Sequence, residues 1–142
     1  MDASVAFKWL IPDAAEEDVP AAKSLLVDHM EGRVKIAVPA LLYYEVANIL
    51  LFGRSRPAAG EAAEALSDLF SIPLAVVAPM PDTADAALRL ASDHGLSFYD
   101  ASYVALAASL DCPLITADQR LARRVRAGGR VRLLAAPPRP TT

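Results

Sequence analysis

The sequence predicts an α/β fold in which helices sandwich a parallel β-sheet in three layers, α/β/α. Short Val/Ile/Leu stretches alternate with Ala-rich stretches whose apolar residues recur at helical spacing. The 142 residues suffice for one domain with a core, and 54% hydrophobic with 22% charged residues is typical of a globular protein. We therefore expect a single domain over residues 1–134 and a Pro-rich tail over residues 135–142.

The predicted helices begin and end at residues that favour helix ends. Pro12 stops the first helix, because proline is not tolerated in a helix interior. Gly32 and Gly95 suit the C-terminal ends of two others, and Pro57 suits the first turn of another. In chain order, the predicted helices span residues 5–10, 19–31, 40–54, 57–70, 82–94, 97–110 and 118–126.

Short apolar runs between the helices predict the strands, and turn-forming residues mark their ends. Pro73 and Pro79 flank one of these runs, and Gly128-Gly129 turns the chain into the last. Met1 and Asp2 should follow or end a further, first strand, although almost nothing precedes Asp2. The other predicted strands span residues 35–38, 74–77, 113–116 and 131–134.

Four carboxylates stand where an apolar run meets the start of a helical pattern: Asp2, Glu45, Asp100 and Asp118. In parallel sheets, the loops that leave the carboxyl ends of the strands converge on one crevice. Two carboxylates ~5 Å apart repel by about 3 kcal/mol at an effective dielectric near 20, so a cluster needs a cation or a proton. Hard oxygen ligands suit Mg²⁺ or Mn²⁺.

The chemistry that fits such a cluster is metal-assisted hydrolysis. A divalent ion between Asp2 and Asp100 would lower the pKa of a bound water and polarise a phosphoryl oxygen. Glu45 or Asp118 would bind a second ion or act on the water. The sequence therefore predicts a hydrolytic site that uses these four acids.

Each acid taken singly also has a structural explanation. Asp100 suits the first turn of a helix, and for Asp118 alone an N-cap role is the better supported. Glu45 is harder to explain in this way, because apolar residues surround it in sequence. Ser4 and Thr116 are expected either to hydrogen-bond a ligating carboxylate or a phosphate, or to act as ordinary caps.

Other catalytic chemistries fit the sequence less well. Gly128-Gly129 lacks the lysine and the spacing of a phosphate-binding loop. His29 and His94 lack zinc-ligand spacing and are expected on helix surfaces. The serines of the sixth predicted helix have no histidine partner for a hydrolytic triad.

The net charge of −3 is unevenly distributed along the chain. Residues 1–118 hold 17 acids and seven bases, whereas residues 119–142 hold seven arginines and no acid. Arg120, Arg123 and Arg124 lie close together on one helix and are candidate RNA contacts. A solvated helix face with cations near the helix C-terminus explains them equally well.

The sequence also gives expectations about the compartment. No apolar run approaches the roughly 18 residues of a membrane span, so we expect no membrane partner. The single Cys112 allows no internal disulfide, and it is expected to be partly buried beside a strand. These features favour a cytoplasmic protein.

Three segments together resemble PIN-domain ribonucleases of the VapC toxin type. They are Asp2-Ala-Ser-Val-Ala-Phe-Lys-Trp-Leu10, Pro39-Ala-Leu-Leu-Tyr-Tyr-Glu-Val-Ala-Asn-Ile-Leu50, and Ser97-Phe-Tyr-Asp-Ala-Ser-Tyr-Val-Ala-Leu-Ala107 continuing into Cys112-Pro-Leu-Ile-Thr-Ala-Asp-Gln-Arg-Leu121. They run in the family's order over nearly the whole chain, and it is the combination that makes the resemblance specific.

The resemblance implies a parallel sheet between helices, Mg²⁺- or Mn²⁺-dependent cleavage of RNA, and a homodimer. It also implies a cognate antitoxin that wraps the toxin and blocks its site. By match of motif, the acidic positions are taken by Asp2, Glu45, Asp100 and Asp118. The supporting polar positions are taken by Ser4, Asn48 and Thr116.

The chain departs from the family pattern at its start, where only Met1 precedes the first aspartate. Family members carry several apolar residues there, which form the central strand. Either the protein begins further upstream, or most of that strand is missing and Asp2 lies beside a cationic amine. The second alternative favours a non-catalytic binding module that keeps the fold and its partner surface, and metal-dependent cleavage would separate the two.

A phospho-receiver domain also collects acids at strand ends, but it needs a lysine near the last strand. Lys8, Lys23 and Lys35 all lie early in the chain, so we set that reading aside.

Three consecutive apolar residues, Leu50, Leu51 and Phe52, predict an exposed apolar surface, because one helix cannot bury all three against its own sheet. The helices over residues 40–54 and 57–70 should therefore present an exposed apolar surface for pairing.

Overall fold

The computed structural model describes residues 1–13, 16, 18–125 and 130–134. Every helix and strand that the sequence predicts with residue bounds is found in this part of the chain, with ends shifted by at most two residues. The helices are α1 (Ala3–Leu10), α2 (Val19–Met30), α3 (Leu41–Phe52), α4 (Ala59–Ser71), α5 (Pro81–His94), α6 (Phe98–Ser109) and α7 (Gln119–Arg124). The strands are β1 (Ala37–Pro39), β2 (Ala75–Val77), β3 (Leu114–Thr116) and β4 (Val131–Leu133).

The ends of the helices follow the expected glycine signals. Gly32 follows α2 and Gly95 caps α5, with φ angles of 74° and 62°. These angles lie in the left-handed region that glycine adopts without strain. The expected tail over residues 135–142, the turn at Gly128-Gly129 and the end of the last predicted helix at residue 126 lie outside the described residues.

The strands form two parallel pairs rather than one continuous sheet. β1 pairs with β2, with Val38 opposite Val76, and β3 pairs with β4. Between the pairs, the Met1 amine donates to the Ala37 carbonyl at 3.4 Å and the Asp2 N–H donates to the Ile115 carbonyl at 3.2 Å. Two residues offer too few backbone groups to complete a ladder on both sides. The parallel strands between helices agree with the predicted fold class, and Met1 and Asp2 stand where the shortened first strand was expected.

The core lies between the strands and the helices on either side of them. Its largest fully buried apolar side chains come from α1, β1, α3, α4 and β3: Val5, Val38, Leu42, Val46, Leu69 and Leu114. Helix α6 is the most deeply buried helix, and its alanines pack against Ala87 of α5. Small side chains at this contact allow close approach of the two helices, so α6 is firmly placed.

His29 lies in the interior, which corrects the expectation of a surface position. Its Nδ1 lies 3.3 Å from the Ile36 N and 3.2 Å from the Val34 carbonyl oxygen, and its Nε2 lies 3.2 Å from the Pro73 carbonyl oxygen. The imidazole therefore joins the end of α2 to the segments that enter β1 and β2.

His94 is half-buried, and the free thiol of Cys112 is half-buried as expected. Among the described helices, none combines the length and the apolar character that crossing a membrane requires.

Candidate functional site

Asp2 caps the N-terminus of α1 and is only 6% exposed. Its Oδ1 accepts hydrogen bonds from the Ser4 N–H at 3.1 Å and from the Ser4 hydroxyl at 2.6 Å. Its Oδ2 accepts a hydrogen bond from the Thr116 hydroxyl. Aspartate is among the preferred N-cap residues, so the local sequence that starts α1 also fixes this carboxylate.

Ser4 and Thr116 connect this carboxylate to the end of β3. The Ser4 hydroxyl accepts the Ala117 N–H at 2.9 Å, and the Thr116 hydroxyl accepts the Asp118 N–H at 2.9 Å. Of the two alternatives for Ser4 and Thr116, the structure therefore supports hydrogen bonding to a carboxylate. Both hydroxyls donate to Asp2 and accept a backbone N–H, which holds α1 against the carboxyl end of β3.

Asp100 lies in the first turn of α6, as the sequence predicts. Its N–H donates to the hydroxyl of the N-cap Ser97 at 3.0 Å. The carboxylate is half-buried, and no described residue donates a hydrogen bond to it. The start of a buried helix is a rigid support for an oxygen ligand.

Glu45 projects from the middle of α3 and meets Tyr103 of α6. The Tyr103 hydroxyl donates to Glu45 Oε2 at 2.5 Å, although 58 positions separate the two residues in sequence. Glu45 is half-buried, and Asn48, one turn further along α3, is exposed. Tyr103 is not among the site residues that the sequence predicts. Its signal is that it follows Asp100 by three positions and so shares its helix face, while a buried tyrosine hydroxyl requires a partner.

The pKa shifts indicate which acids lie close together. Burial raises the pKa of Glu45, the Asp100 and Asp2 carboxylates raise it further, and the Tyr103 hydrogen bond opposes this. Burial also raises the pKa of Asp2, against the hydrogen bonds from Ser4 and Thr116. The pKa of Tyr103 is raised by burial, by its bond to Glu45 and by the charges of Glu45, Asp2 and Asp100. The Tyr103 hydroxyl thus contacts Glu45 directly and lies near enough to Asp2 and Asp100 for their charges to raise its pKa.

No described lysine or arginine forms an ion pair with these three acids. Lys8, the base closest in sequence to Asp2, instead pairs with Glu16 and with Asp18. Burial lowers the pKa of the Met1 amine, which disfavours its charged form. Within the described residues, the negative charge is therefore left without a side-chain cation.

Asp118 is placed differently from the other three acids. Its Oδ1 accepts the Arg120 N–H at 2.7 Å and the Leu121 N–H at 3.3 Å. Asp118 is therefore the N-cap of α7, which is the role expected for this residue taken alone. Its backbone N–H reaches the Asp2 network through Thr116. Its charge is not among the causes that shift the pKa of Glu45 or of Tyr103.

The three arginines considered for RNA binding are not equivalent. The Arg120 side chain is 88% exposed and lies 3.8 Å from Asp118 Oδ1. Arg123 donates to Gln119 within its own helix at 3.1 Å. Arg124 donates to the Gly95 carbonyl at 2.6 Å and so joins α7 to the end of α5. Arg124 has a structural role, which leaves Arg120 and Arg123 as the better candidates.

The donor atoms fit a hydrated divalent cation. Asp2, Glu45 and Asp100 offer carboxylate oxygens only, and no described residue donates to Glu45 Oε1 or to Asp100. No three acidic, histidine or cysteine side chains of the described residues are grouped tightly enough to enclose a metal ion by themselves. Mg²⁺ keeps several waters and takes one or two carboxylates directly, so it does not require such a cage.

Comparison with known proteins adds a family match. The PIN domain family model matches residues 1–127, which is most of the chain. A stretch of 29 residues is 66% identical to Ribonuclease VapC1 of Mycobacterium tuberculosis, in strain CDC 1551 / Oshkosh and in strain ATCC 25618 / H37Rv. That stretch covers 20% of this chain and 22% of each relative, so the match spans about a fifth of the curated relatives' length.

A solved structure is similar over nearly the whole chain. It is the crystal structure of PAE2754 from Pyrobaculum aerophilum, with a TM-score of 0.67 and 26% sequence identity. The likeness covers 94% of this chain and 86% of that one. It confirms the α/β fold class that the sequence predicts, with parallel strands between helices.

Proposed function

The chain belongs to the PIN domain family, and on that premise we propose that it is a Mg²⁺- or Mn²⁺-dependent endoribonuclease. The observation that carries the proposal is that carboxylates from three distant segments act on one buried hydroxyl: Tyr103 donates to Glu45 Oε2, and the charges of Glu45, Asp2 and Asp100 raise its pKa. Such a group of like charges is stabilised by a cation. The relatives named Ribonuclease VapC1 support RNA as the substrate and the toxin of a type II toxin–antitoxin pair as the role.

In this mechanism Asp2, Glu45 and Asp100 would hold the ion, directly or through its bound waters. When bound, the ion supplies an activated water and polarises the scissile phosphate. Ser4 and Thr116 keep the Asp2 carboxylate in one orientation through three hydrogen bonds. Glu45 Oε1 accepts no hydrogen bond from the described residues, so it would be left to bind the ion or a water bound to the ion.

The proposal is tested by incubating the purified chain with a single-stranded RNA and separating the products on a denaturing gel. We expect cleavage in Mg²⁺ or Mn²⁺, none in EDTA, and recovery when the metal is added back in excess. A DNA oligonucleotide of the same sequence serves as the substrate control. RNA cleavage that persists in EDTA would refute metal dependence, and no cleavage with either metal would refute the nuclease assignment.

A second candidate function is a PIN-fold binding module with impaired catalysis. The observation that favours it is the two separate strand pairs, which only Met1 and Asp2 connect. This module retains its antitoxin or another protein partner without cleaving RNA. The RNA assay separates the two candidates, because the module gives no products at any metal concentration while still binding its partner.

RNA affinity is expected to depend on the exposed arginines of α7. Replacing Arg120 and Arg123 with glutamine should weaken binding and flatten the salt dependence by roughly 1.4 units, at about 0.7 per phosphate contact on a single strand. The measurement is fluorescence anisotropy of a labelled RNA over a range of salt. Arg124→Gln is the matched control, since it should lower stability and leave the slope unchanged. An unaltered slope in the double variant means that Arg120 and Arg123 form only a solvated face.

Self-association is expected at an apolar patch formed by α3 and α4. Leu51 and Phe52 are 55% and 75% exposed, as the sequence predicts, and exposed Phe70 stacks on Tyr43 with 4.3 Å between ring centroids. We infer that a homodimer buries this patch. Phe52→Glu should remove at least about 1.5 kcal/mol of dimerisation free energy per copy. The Kd of a twofold dimer should therefore rise by about 100-fold.

Light scattering across a concentration series measures this change. Met30→Glu on α2 is the matched control, because Met30 is 58% exposed and lies on another helix. We expect the control to keep the mass of the wild type at each concentration. A wild-type chain that stays monomeric at high concentration would contradict the assignment of the patch.

A further inference from the structure

Tyr103 is buried at the centre of the candidate site. It lies one turn after Asp100 on α6 and is 3% exposed. Its neighbours Val104 to Ala107 are also buried, so its backbone and ring are held by packing. Burial of a tyrosine hydroxyl is unfavourable without a hydrogen-bond partner, and Glu45 Oε2 is the partner found for it among the described residues.

Of the three acids, Glu45 is the one whose carboxylate orientation depends on a hydrogen bond from another helix. Asp2 is fixed by Ser4 and Thr116, and Asp100 is attached by a short side chain to the start of a buried helix. Glu45 has a longer side chain and is half-buried on another helix. Repulsion from Asp2 and Asp100 favours rotation of its carboxylate out towards water, and the Tyr103 hydrogen bond opposes that rotation.

We propose that Tyr103 is a positioning residue that keeps the Glu45 carboxylate facing Asp2 and Asp100, ready to bind a divalent cation. The hydroxyl occupies Oε2 and leaves Oε1 for the ion or for a water bound to it. This inference rests on the proposed function, because it concerns the same three carboxylates. Tyr103 acts through Glu45 and is not itself a ligand.

The test is the affinity for Mn²⁺ of the Tyr103→Phe variant, measured on metal-free protein by the electron paramagnetic resonance signal of free Mn²⁺. Phenylalanine fills the same space, and water can reach the half-buried Glu45, so the fold should be retained; thermal unfolding without metal verifies this. We expect the Kd for Mn²⁺ to rise by about tenfold or more, as for other residues that orient metal ligands. A purely structural tyrosine would change the melting temperature and leave the Mn²⁺ affinity unaltered.

Two further variants make the result specific. Tyr99→Phe removes a hydroxyl from the same helix at a position that is 58% exposed, and it should bind Mn²⁺ as the wild type does. Tyr103→Phe in a Glu45→Gln background should add no further loss, because the hydroxyl acts through the Glu45 carboxylate. Additive losses would show that Tyr103 acts by another route and would overturn the proposal.

The outcomes separate this inference from the function on which it rests. If the wild type binds Mn²⁺ and Tyr103→Phe binds it equally well, the positioning role is wrong and the nuclease proposal stands. If the wild type binds no Mn²⁺, the metal site and the positioning role both fall. A loss of Mn²⁺ affinity in Tyr103→Phe, with unchanged Mn²⁺ affinity in Tyr99→Phe, supports the proposal.

Discussion

Replacement of Asp100 with asparagine is expected to lower RNA cleavage by at least about 100-fold and to leave the melting temperature level or higher. Asparagine keeps the size of the side chain and removes one unit of charge from the ion's site. Two carboxylates ~5 Å apart at an effective dielectric near 20 repel by about 3 kcal/mol, although partial exposure of Asp100 screens this value. The helix dipole stabilises an acid in the first turn by roughly 0.3–1 kcal/mol, and the asparagine variant loses this contribution. The free energy gained by removing the carboxylate repulsion should equal or exceed it.

Initial cleavage rates on one RNA and a thermal melt of the metal-free protein measure the two effects. Asp68→Asn is the matched control, because Asp68 is an exposed acid on α4 and its replacement makes the same charge change. We expect the control to cleave RNA as the wild type does. Full activity in Asp100→Asn would remove Asp100 from the site, and a large fall in its melting temperature would mean that Asp100 serves the fold.

Replacement of Thr116 with valine is expected to lower the free energy of unfolding by about 2–6 kcal/mol. Thr116 is fully buried, and its hydroxyl donates to Asp2 while accepting the Asp118 N–H at 2.9 Å. Valine has nearly the same shape and makes neither bond, which leaves two groups unsatisfied at about 1–3 kcal/mol each. Urea unfolding followed by circular dichroism gives the difference.

Thr116→Ser is the control for the hydroxyl, since it keeps both hydrogen bonds and loses one methyl group. Loss of one buried methyl group is expected to cost about 0.5–1.5 kcal/mol. The valine variant should therefore be the less stable of the two. Equal stability of the two variants, or greater stability of valine, would show that the Asp2–Thr116–Asp118 connection contributes nothing to the fold.

The sequence predicts the elements of this fold because its signals are local. Gly95 and Pro57 stand where a helix ends and where another begins, and apolar runs separated by turn residues mark the strands. The division into two strand pairs depends on how far Met1 and Asp2 reach across to Ala37 and Ile115. The sequence signals that this first strand is short, because only Met1 precedes Asp2, but the hydrogen bonds that the two residues make are a property of the assembled sheet.

The candidate site is predictable to a similar degree. The position of Asp2 beside the carboxyl end of β3 follows from the topology of parallel strands. Glu45 and Asp100 lie on helices α3 and α6, so their positions depend on how these helices pack. The role of Tyr103 does not follow, because its partner lies 58 positions away on another helix. His29 is missed for the same reason, since the carbonyl of Pro73 and the N–H of Ile36 become its partners only after folding.

The central claim is that Asp2, Glu45 and Asp100 together hold one kind of divalent cation, and Mn²⁺ binding by their amide variants tests it most directly. Electron paramagnetic resonance of free Mn²⁺ gives the affinity of Asp2→Asn, Glu45→Gln and Asp100→Asn without any RNA. We predict a loss of at least about tenfold in each, and a smaller loss in Asp118→Asn, where asparagine still caps α7. A wild-type chain that binds no Mn²⁺, or three variants that bind it as the wild type does, would contradict the account.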